Sequence, residues 1–176
     1  MEVLTMEKKM KVIGSNVIVD LVGHVDGVPA KVDTGADSSA IWATHVHIDQ
    51  KGLLNFVLFD EGSPYYTGEV IKRKAYKVAS VKSSNGHNQI RYRTEILMKI
   101  KRRSVKVLCN LSDRSAQHFP ILIGRRTLAN KFLVNVTKRE LPRLQGEVTK
   151  TLNDEMIKNP YKFYKKYHNQ ESKEAI

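Results

Sequence analysis

Apolar and polar residues alternate with a period of two through most of the first two thirds of the chain, which is the pattern of half-buried β-strands. The segment Asn16 to Val25 is rich in Val, Ile and Leu, and the Asp26-Gly27 that follows it is a strong two-residue hairpin signal. A second strand after this turn carries apolar residues at alternate positions, namely Val28, Ala30 and Val32. We expect that strand to end at Asp33.

Further segments have the same strand-like character. They are Val70 to Val81, Ile90 to Ile100, Val105 to Leu111, Ile121 to Ile123 and Phe132 to Val136. Asn85-Gly86 marks a hairpin tip between the first two. The stretch from Ala43 to Val70 is polar and contains turn signals, whereas Arg125 to Lys131 can form one or two helical turns. The pattern therefore predicts an all-β fold with one short helix.

The composition changes near Leu141, after which aliphatic residues are few. Four aromatic residues of this last part lie among lysines, namely Tyr161, Phe163, Tyr164 and Tyr167. We therefore divide the chain into a domain of residues 1–137 and a basic, aromatic C-terminal extension of residues 138–176. The extension is expected to be a helical appendage or a partly ordered tail. Basic residues interleaved with aromatic ones also suit single-stranded nucleic acid.

The chain is strongly basic. Its formal net charge is +12, from 30 Lys and Arg against 18 Asp and Glu. The densest basic groups are Lys72-Arg73-Lys74 and the segment Lys99 to Lys106. Such a field attracts polyanions, which include nucleic acid, an anionic surface and acidic peptide. A solvated basic face is an equal alternative.

The cellular setting is predicted from apolar runs and cysteine content. No run approaches the roughly 18–20 apolar residues that span a bilayer, and the first eleven residues lack the apolar core of a signal peptide. The one cysteine, Cys109, cannot form an internal disulfide, which fits a reducing compartment. We expect a cytoplasmic protein without a membrane partner, with Cys109 as a small buried residue.

The strongest chemical signal is the run Ala30-Lys31-Val32-Asp33-Thr34-Gly35-Ala36-Asp37-Ser38-Ser39-Ala40. An Asp-Thr-Gly triplet alone recurs by chance, and it can be a plain strand-to-turn corner in which Asp33 bonds nearby backbone amides. Here it ends an apolar strand, and Ile121-Leu122-Ile123-Gly124-Arg125 follows far downstream. This pairing resembles the retropepsin-like aspartic proteases, in which the Asp-Thr-Gly loop lies beside a strand that ends in two aliphatic residues and Gly.

The resemblance narrows to a prokaryotic retropepsin-like family that is often labelled ATP-dependent zinc protease. Segments at 83–87, 111–115, 122–128 and 132–134 are similar to that family, and the likeness covers about residues 12–137. Members often accompany ATP-grasp ligases that add glutamates to proteins. The resemblance implies a retropepsin-like acid-protease barrel with one short helix after the Ile-Gly strand, followed by the C-terminal extension.

The resemblance also implies the site. The candidate catalytic residues are Asp33, Thr34 and Gly35, and the candidate substrate-binding residues are Ala36, Arg114, Arg125 and Arg126. An aspartic protease activates water with two carboxylates that share one proton. Because the chain holds one Asp-Thr-Gly, the second carboxylate is expected from a twofold-related subunit of a homodimer. Gly124 is expected to pack under the loop, and the hairpin at Asn85-Gly86 to act as a flap.

A departure from the retroviral pattern leaves the dimer open. Ninety residues lie between Asp33 and Gly124, so the flap region is enlarged. The enlarged region and the tail can block retroviral-style dimerisation. A monomer then needs another proton-handling group, for which Asp37 and Asp113 are the candidates.

The zinc label finds little support in the residues. His45 and His47 are two apart, so on a strand they share one face and can form a metal pair. No His-Glu-x-x-His occurs, and no cysteine or carboxylate cluster completes a site. We therefore expect no metal and no cofactor.

The predicted function is that of an aspartic peptidase acting on a peptide or protein, with an acidic or glutamylated tail as substrate. Arg114, Arg125 and Arg126 can bind carboxylates bidentately, although Arg114 can equally pair with Asp113. Two alternatives come from other classes. One is a catalytically silent module that binds acidic peptide or regulates a ligase. The other, ranked last because no nucleic-acid motif occurs, is a nucleic-acid-binding protein.

Overall fold

The structure, a computed structural model, describes residues 10–82, 88–142 and 146–168. The strands within these residues are β1 (Lys11–Ile13), β2 (Asn16–Leu21), β3 (Val25–Val32), β4 (Ser39–Ile48), β5 (Leu54–Leu58), β6 (Val70–Arg73), β7 (Lys77–Lys82), β8 (Asn88–Ile100), β9 (Arg103–Ser112), β10 (Ile121–Ile123) and β11 (Phe132–Val134). The helices are α1 (Arg125–Leu128), α2 (Gly146–Lys158) and α3 (Pro160–His168).

Six of the strands close into a β-barrel. The ring runs β10-β3-β2-β8-β9-β4, and it closes because β10 is parallel to β3 on one side and antiparallel to β4 on the other. The alternate residues of these strands that point inward form one apolar core, which includes Val19, Leu21, Ile41, Ile96, Met98 and Ile121. Burial of each such side chain contributes about 1.5–3 kcal/mol. The predicted all-β, retropepsin-like barrel is confirmed.

Other strands extend the barrel. β5 and β6 continue the sheet outward from β4, and β7 pairs with the first half of β8. β1 and β11 form a small parallel sheet. These additions leave the ring of six intact.

The first hairpin turns earlier than predicted. β2 and β3 are joined through Gly23, which has a φ of +85°, and the N–H of His24 donates to the Leu21 carbonyl at 2.9 Å. Gly27, with a φ of +75°, lies inside β3, where its N–H donates to Oδ1 of Asp20 at 3.1 Å and the register with β2 shifts. The prediction of a turn at Asp26-Gly27 is therefore wrong, because a glycine at positive φ serves a β-bulge as well as a turn.

Two further strand predictions are wrong. The segment Val70 to Val81 is two strands, since β6 pairs with β5 whereas β7 pairs with β8. The chain bends between them, where Oγ1 of Thr94 donates to the Ala75 carbonyl at 3.1 Å. The stretch from Ala43 to Val70, expected to be polar turns, contains β5, and all five residues of this strand are buried. A short strand buried on both faces has no alternation to reveal it.

The chain remains attached to the barrel as far as Leu141. The side chain of Asn16 accepts the backbone N–H groups of Glu140 and Leu141 at 2.7 and 2.9 Å, and its amide donates to the Leu141 carbonyl at 3.0 Å. A second compact unit begins at Pro142 and contains α2 and α3. The helical alternative for the tail is thus confirmed, whereas the functional division at residue 137 stays a prediction. Among the described residues, no helix is both long and apolar enough to cross a membrane.

Candidate active site

Asp33 lies directly after β3, at the point where β3 and β10 end side by side. Val32 is in register with Ile123, and the N–H of Asp33 donates to the Ile123 carbonyl at 2.9 Å. Oδ1 of Asp33 accepts the N–H groups of Gly35 and Ala36 at 3.0 and 3.2 Å. These bonds fix the orientation of the carboxylate. Its side chain is 28% exposed, so solvent and a ligand can reach it.

The loop that carries Asp33 packs directly on Gly124. A Cβ added to Gly124 would lie 2.6 Å from the backbone C and O of Ser38 and 3.0 Å from the Ala36 carbonyl oxygen, closer than real Cβ atoms approach backbone. The N–H groups of Arg125 and Arg126 at the start of α1 donate to the carbonyls of Ala36 and Asp37 at 2.8 and 3.2 Å. The prediction that Gly124 packs under this loop is confirmed.

A buried polar network holds the same loop from behind. The hydroxyl of Ser39 accepts the Gly124 N–H at 3.0 Å and lies 2.8 Å from the Thr127 hydroxyl. The amide of Asn110 donates to the Ser38 hydroxyl at 3.0 Å and to the Ser39 carbonyl at 3.1 Å. Sequence reasoning missed this network, since Ser39 is 71 residues from Asn110 and 88 from Thr127. Nothing local marks such pairs as partners.

The other predicted residues of the motif lie in the same loop. Thr34 is exposed. A Cβ added to Gly35 would lie 3.3 Å from Oδ1 of Asp33, so glycine suits the close approach of this backbone to the carboxylate. Ala36 is half-buried, and both its N–H and its carbonyl are bonded within the loop and to α1.

Arg125 and Arg126 both contact an acidic residue of this chain. Nη2 of Arg125 lies 3.3 Å from Oδ1 of Asp37, and Nη2 of Arg126 lies 2.7 Å from Oδ2. All three side chains are more than half exposed. Asp37 therefore faces two cations, which makes it a poor partner for sharing a proton. The assignment of the two arginines to substrate binding stays a prediction.

Arg114 is the predicted binding residue that lies within electrostatic reach of Asp33. Its Nε donates to the Phe119 carbonyl at 3.1 Å. Burial first and then the positive charge of Arg91 lower the pKa of Arg114, while the negative charge of Asp33 opposes them. Charges perturb one another in this way only when they are near.

Asp113 does not pair with Arg114. Its Oδ1 accepts the Ser115 N–H at 2.8 Å. This bond and one from the Ser115 hydroxyl lower the pKa of the Asp113 carboxyl. Hydrogen bonds to the charged form stabilise it, so the local environment holds Asp113 ionised instead of poised to hold a proton.

A cation beside Asp33 was missed from the sequence. Nζ of Lys31 lies 3.6 Å from Oδ2 of Asp33. The alternation of β3 could have indicated this position of Lys31, because Ala30 and Val32 point into the core and Lys31 must point away from it.

Two predictions concern residues around the site. Cys109 is fully buried, as expected, and burial raises the pKa of its thiol. The prediction that His45 and His47 share one face of a strand is wrong, because β4 has a register shift there and His45 has a φ of +53°. Within residues 10–82, 88–142 and 146–168, no three His, Cys, Asp or Glu side chains come together as a metal site.

The expected flap tip at Asn85-Gly86 lies outside the described residues. The arms on either side of it, β7 and β8, pair from Lys77 with Arg93 to Lys82 with Asn88. The pairing is antiparallel, as in a hairpin.

Comparison with known proteins gives a family match over most of the chain. The family model described as "RimB-like: Retropepsin-like aspartic endopeptidase RimB" matches residues 12–144. A solved structure from Legionella pneumophila, described as a protein with unknown function (DUF785), has a TM-score of 0.58 and 21% identity, and the match covers 74% of this chain and 96% of that one. At that identity the structural likeness shows the fold alone.

The chain is also similar to longer curated proteins. One from Shewanella pealeana is named "Probable alpha-L-glutamate ligase" and is 28% identical over 114 residues, which is 63% of this chain and 25% of that protein. One of the same name from Desulfotalea psychrophila is 25% identical over 132 residues, 72% of this chain and 27% of that protein. The chain thus spans about a quarter of the length of these relatives.

Proposed function

Because the chain belongs to the RimB-like family of retropepsin-like aspartic endopeptidases, we propose that it hydrolyses peptide bonds with a water molecule activated at Asp33. The observation that carries the proposal is the attachment of the Asp33 loop. Two backbone N–H groups orient the carboxylate, and Gly124 supports the loop at contact distance. A reacting carboxylate has to be held in this way, since a 1 Å displacement can cost about 100-fold in rate.

The chemistry needs a second carboxyl group. One carboxylate takes a proton from the water as the water attacks the peptide carbonyl, and a carboxylic acid protonates the carbonyl oxygen. The proton taken from the water then passes to the leaving amine. The two other aspartates considered, Asp37 and Asp113, are bonded to Arg125, Arg126 and Ser115. We therefore assign the second group to Asp33 of a twofold-related copy, with the exposed Thr34 at the interface.

The substrate we propose is an acidic peptide segment, such as a glutamate-rich or glutamylated tail. Asp33 has Lys31 beside it, and Arg114 lies within electrostatic reach of both Asp33 and Arg91. Positive charge around a peptidase site favours acidic side chains next to the bond that is cut. The similarity to proteins named as glutamate ligases is consistent with a substrate that contains glutamate.

A second candidate function is that of a silent module that binds acidic peptide. It is favoured by the ion pair of Lys31 with Asp33, which a purely binding surface would also contain. The cytoplasmic setting expected from the single cysteine is compatible with both. Nucleic-acid binding through the basic strands remains a third candidate, and a steep fall of affinity with salt would mark it.

Peptidase activity of wild type and Asp33→Asn tests the proposal directly. The substitution keeps the shape of the side chain and removes the ionisable carboxylate. The matched control is Asp26→Asn, an exposed aspartate of β3, the strand that precedes Asp33. We expect wild type and Asp26→Asn to cleave glutamate-rich peptides at equal rates and Asp33→Asn to be inactive. Equal cleavage by all three proteins would refute the role of Asp33. Binding without cleavage by all three would favour the silent module.

A further inference from the structure

The two helices of the C-terminal extension, α2 and α3, are joined at Asn159. The side chain of Asn159 accepts the Lys162 N–H at 2.9 Å and so caps the start of α3. Pro160 occupies the first helical position, where a backbone N–H has no partner within the helix. The family model ends at residue 144, before either helix begins. What the family match implies therefore does not extend to these helices.

One side of α3 attaches it to α2. Nζ of Lys166 donates to Oε1 of Glu155 at 2.6 Å, and the hydroxyl of Tyr167 donates to Oε2 at 3.1 Å. The ring of Phe163, which is half-buried, has its centroid 4.6 Å from that of Tyr167. Two of the four aromatic residues noted in the sequence thus hold the two helices together.

The other two aromatic residues form a row with His168 on a different side of α3. Tyr161, Tyr164 and His168 are spaced by three and four residues, so they follow one another along one side of the helix. Tyr161 is 68% exposed and Tyr164 is 56% exposed. The rings of Tyr164 and His168 are stacked, with centroids 5.0 Å apart and an angle of 25° between their planes. We call these three residues the aromatic row.

Positive charge accompanies the aromatic row. Nζ of Lys165 lies 4.7 Å from the centroid of the Tyr161 ring, and Lys162 is exposed in the same turn. α3 contains no acidic residue, and Glu155 of α2 is already bound to Lys166. The exposed side of α3 therefore presents aromatic rings and ammonium groups together.

This combination fits a single strand of nucleic acid better than it fits the other polyanions. Bases of any sequence can stack on exposed rings while lysines attract the phosphates, whereas the bases of a duplex are stacked on one another. An acidic peptide would neutralise the lysines and leave the ring faces uncovered. A bilayer surface is bound through apolar residues such as Phe and Leu, which the aromatic row lacks.

We infer that the aromatic row binds a single strand of RNA or DNA, with Tyr161 and Tyr164 stacking on bases and Lys162 and Lys165 contacting phosphates. The row is about 10 Å long, because His168 follows Tyr161 by seven residues at about 1.5 Å each. Nucleotides in a stacked strand are about 3.4 Å apart, so the row accommodates about three of them. This surface is additional to the proposed peptidase site and shares no residue with it.

Fluorescence anisotropy with the full chain and fluorescein-labelled oligonucleotides tests the inference. The probes are single strands of uridine and of thymidine, a duplex of the same length, and an abasic strand that carries the phosphates without the bases. We expect the two single strands to bind at least about 5-fold more tightly than the duplex or the abasic strand, since each stacked base contributes about that factor or more. The ratio of the uridine and thymidine affinities shows whether RNA or DNA is preferred.

Variants of α3 separate stacking from charge. Tyr164→Leu keeps a large side chain with good helix propensity, yet it should lower the affinity for the single strands by about 5- to 100-fold. Tyr164→Phe keeps the ring and should bind like wild type. Lys165→Gln should make the slope of log K against log salt shallower by about 0.7, the value for one phosphate contact of a single strand. The matched control is Lys150→Gln, an exposed lysine of α2, which should leave the slope unchanged.

Several outcomes would overturn the inference. They are equal affinity for the abasic and thymidine strands, wild-type affinity in both Tyr161→Leu and Tyr164→Leu, and no binding of either single strand at about 50 mM salt. Binding to anionic lipid vesicles or to a glutamate-rich peptide, without binding to either strand, would also overturn it and assign the extension to that partner. Circular dichroism checks that the helices persist. If Tyr164→Leu loses helix content, Tyr161→Leu and Lys165→Gln decide the question.

Discussion

Replacement of Gly124 by alanine tests whether close packing under the loop holds Asp33 in place. The new Cβ would be 2.6 Å from the backbone of Ser38, and that backbone must retreat by roughly 0.8 Å to reach the 3.4 Å at which ordinary contact begins. Overpacking of this kind costs about 1–3 kcal/mol. Retreat of the loop also stretches the bond from the Arg125 N–H to the Ala36 carbonyl, which contributes about 1 kcal/mol more.

Two measurements follow from this reasoning. Urea unfolding should show a loss of about 2–4 kcal/mol, and Tm should fall by about 2–4 °C for each kcal/mol. Peptidase activity should fall by about 100-fold, because Asp33 moves with the loop. The control is Gly62→Ala, since nothing lies within 4 Å of a Cβ at Gly62 and its stability should change by less than about 0.5 kcal/mol. If Gly124→Ala matched Gly62→Ala in stability and cleaved normally, the packing argument would be refuted.

Three other predictions concern the dimer, the buried thiol and the segment that follows β11. If each site uses Asp33 from two subunits, a mixture of wild type refolded with an equal amount of Asp33→Asn should have about a quarter of the activity of wild type at the same total protein concentration. About half would indicate an active monomer. Because burial raises the pKa of the Cys109 thiol above its unfolded value of about 8.5, the unfolded chain loses that proton first as the pH rises. Between about pH 8.5 and about pH 10.5 the unfolding free energy should therefore fall more steeply for wild type than for Cys109→Ala, by up to about 1.4 kcal/mol per pH unit. Parallel slopes for the two proteins would contradict this. Asn16→Ala should lower the unfolding free energy in urea by about 1–3 kcal/mol because Glu140 and Leu141 lose its hydrogen bonds, and an unchanged unfolding free energy would contradict this.

Five of the six barrel strands were predicted, because alternation reports a strand with one buried face, whereas β4 was not predicted. β8 and β9 extend only a little beyond the segments predicted as Ile90 to Ile100 and Val105 to Leu111. β5 was not predicted as a strand because it is buried on both faces and therefore shows no alternation. The bulge at Gly27 was mistaken for a turn, because the same positive φ serves both.

The candidate site also contains features that the sequence predicted and features that it did not. The sequence determined the Asp33 motif and the short helix after β10 from strand ends and turn residues, which are chain-local features, and the family resemblance added Gly124 as the glycine that supports the loop. Only the tertiary structure decided that β10 closes the barrel between β3 and β4, that Asn110 supports the loop, and that Arg114 comes within electrostatic reach of Asp33. Those arrangements join residues tens of positions apart, and their free energy arises from packing and charge that exist only once the barrel has closed.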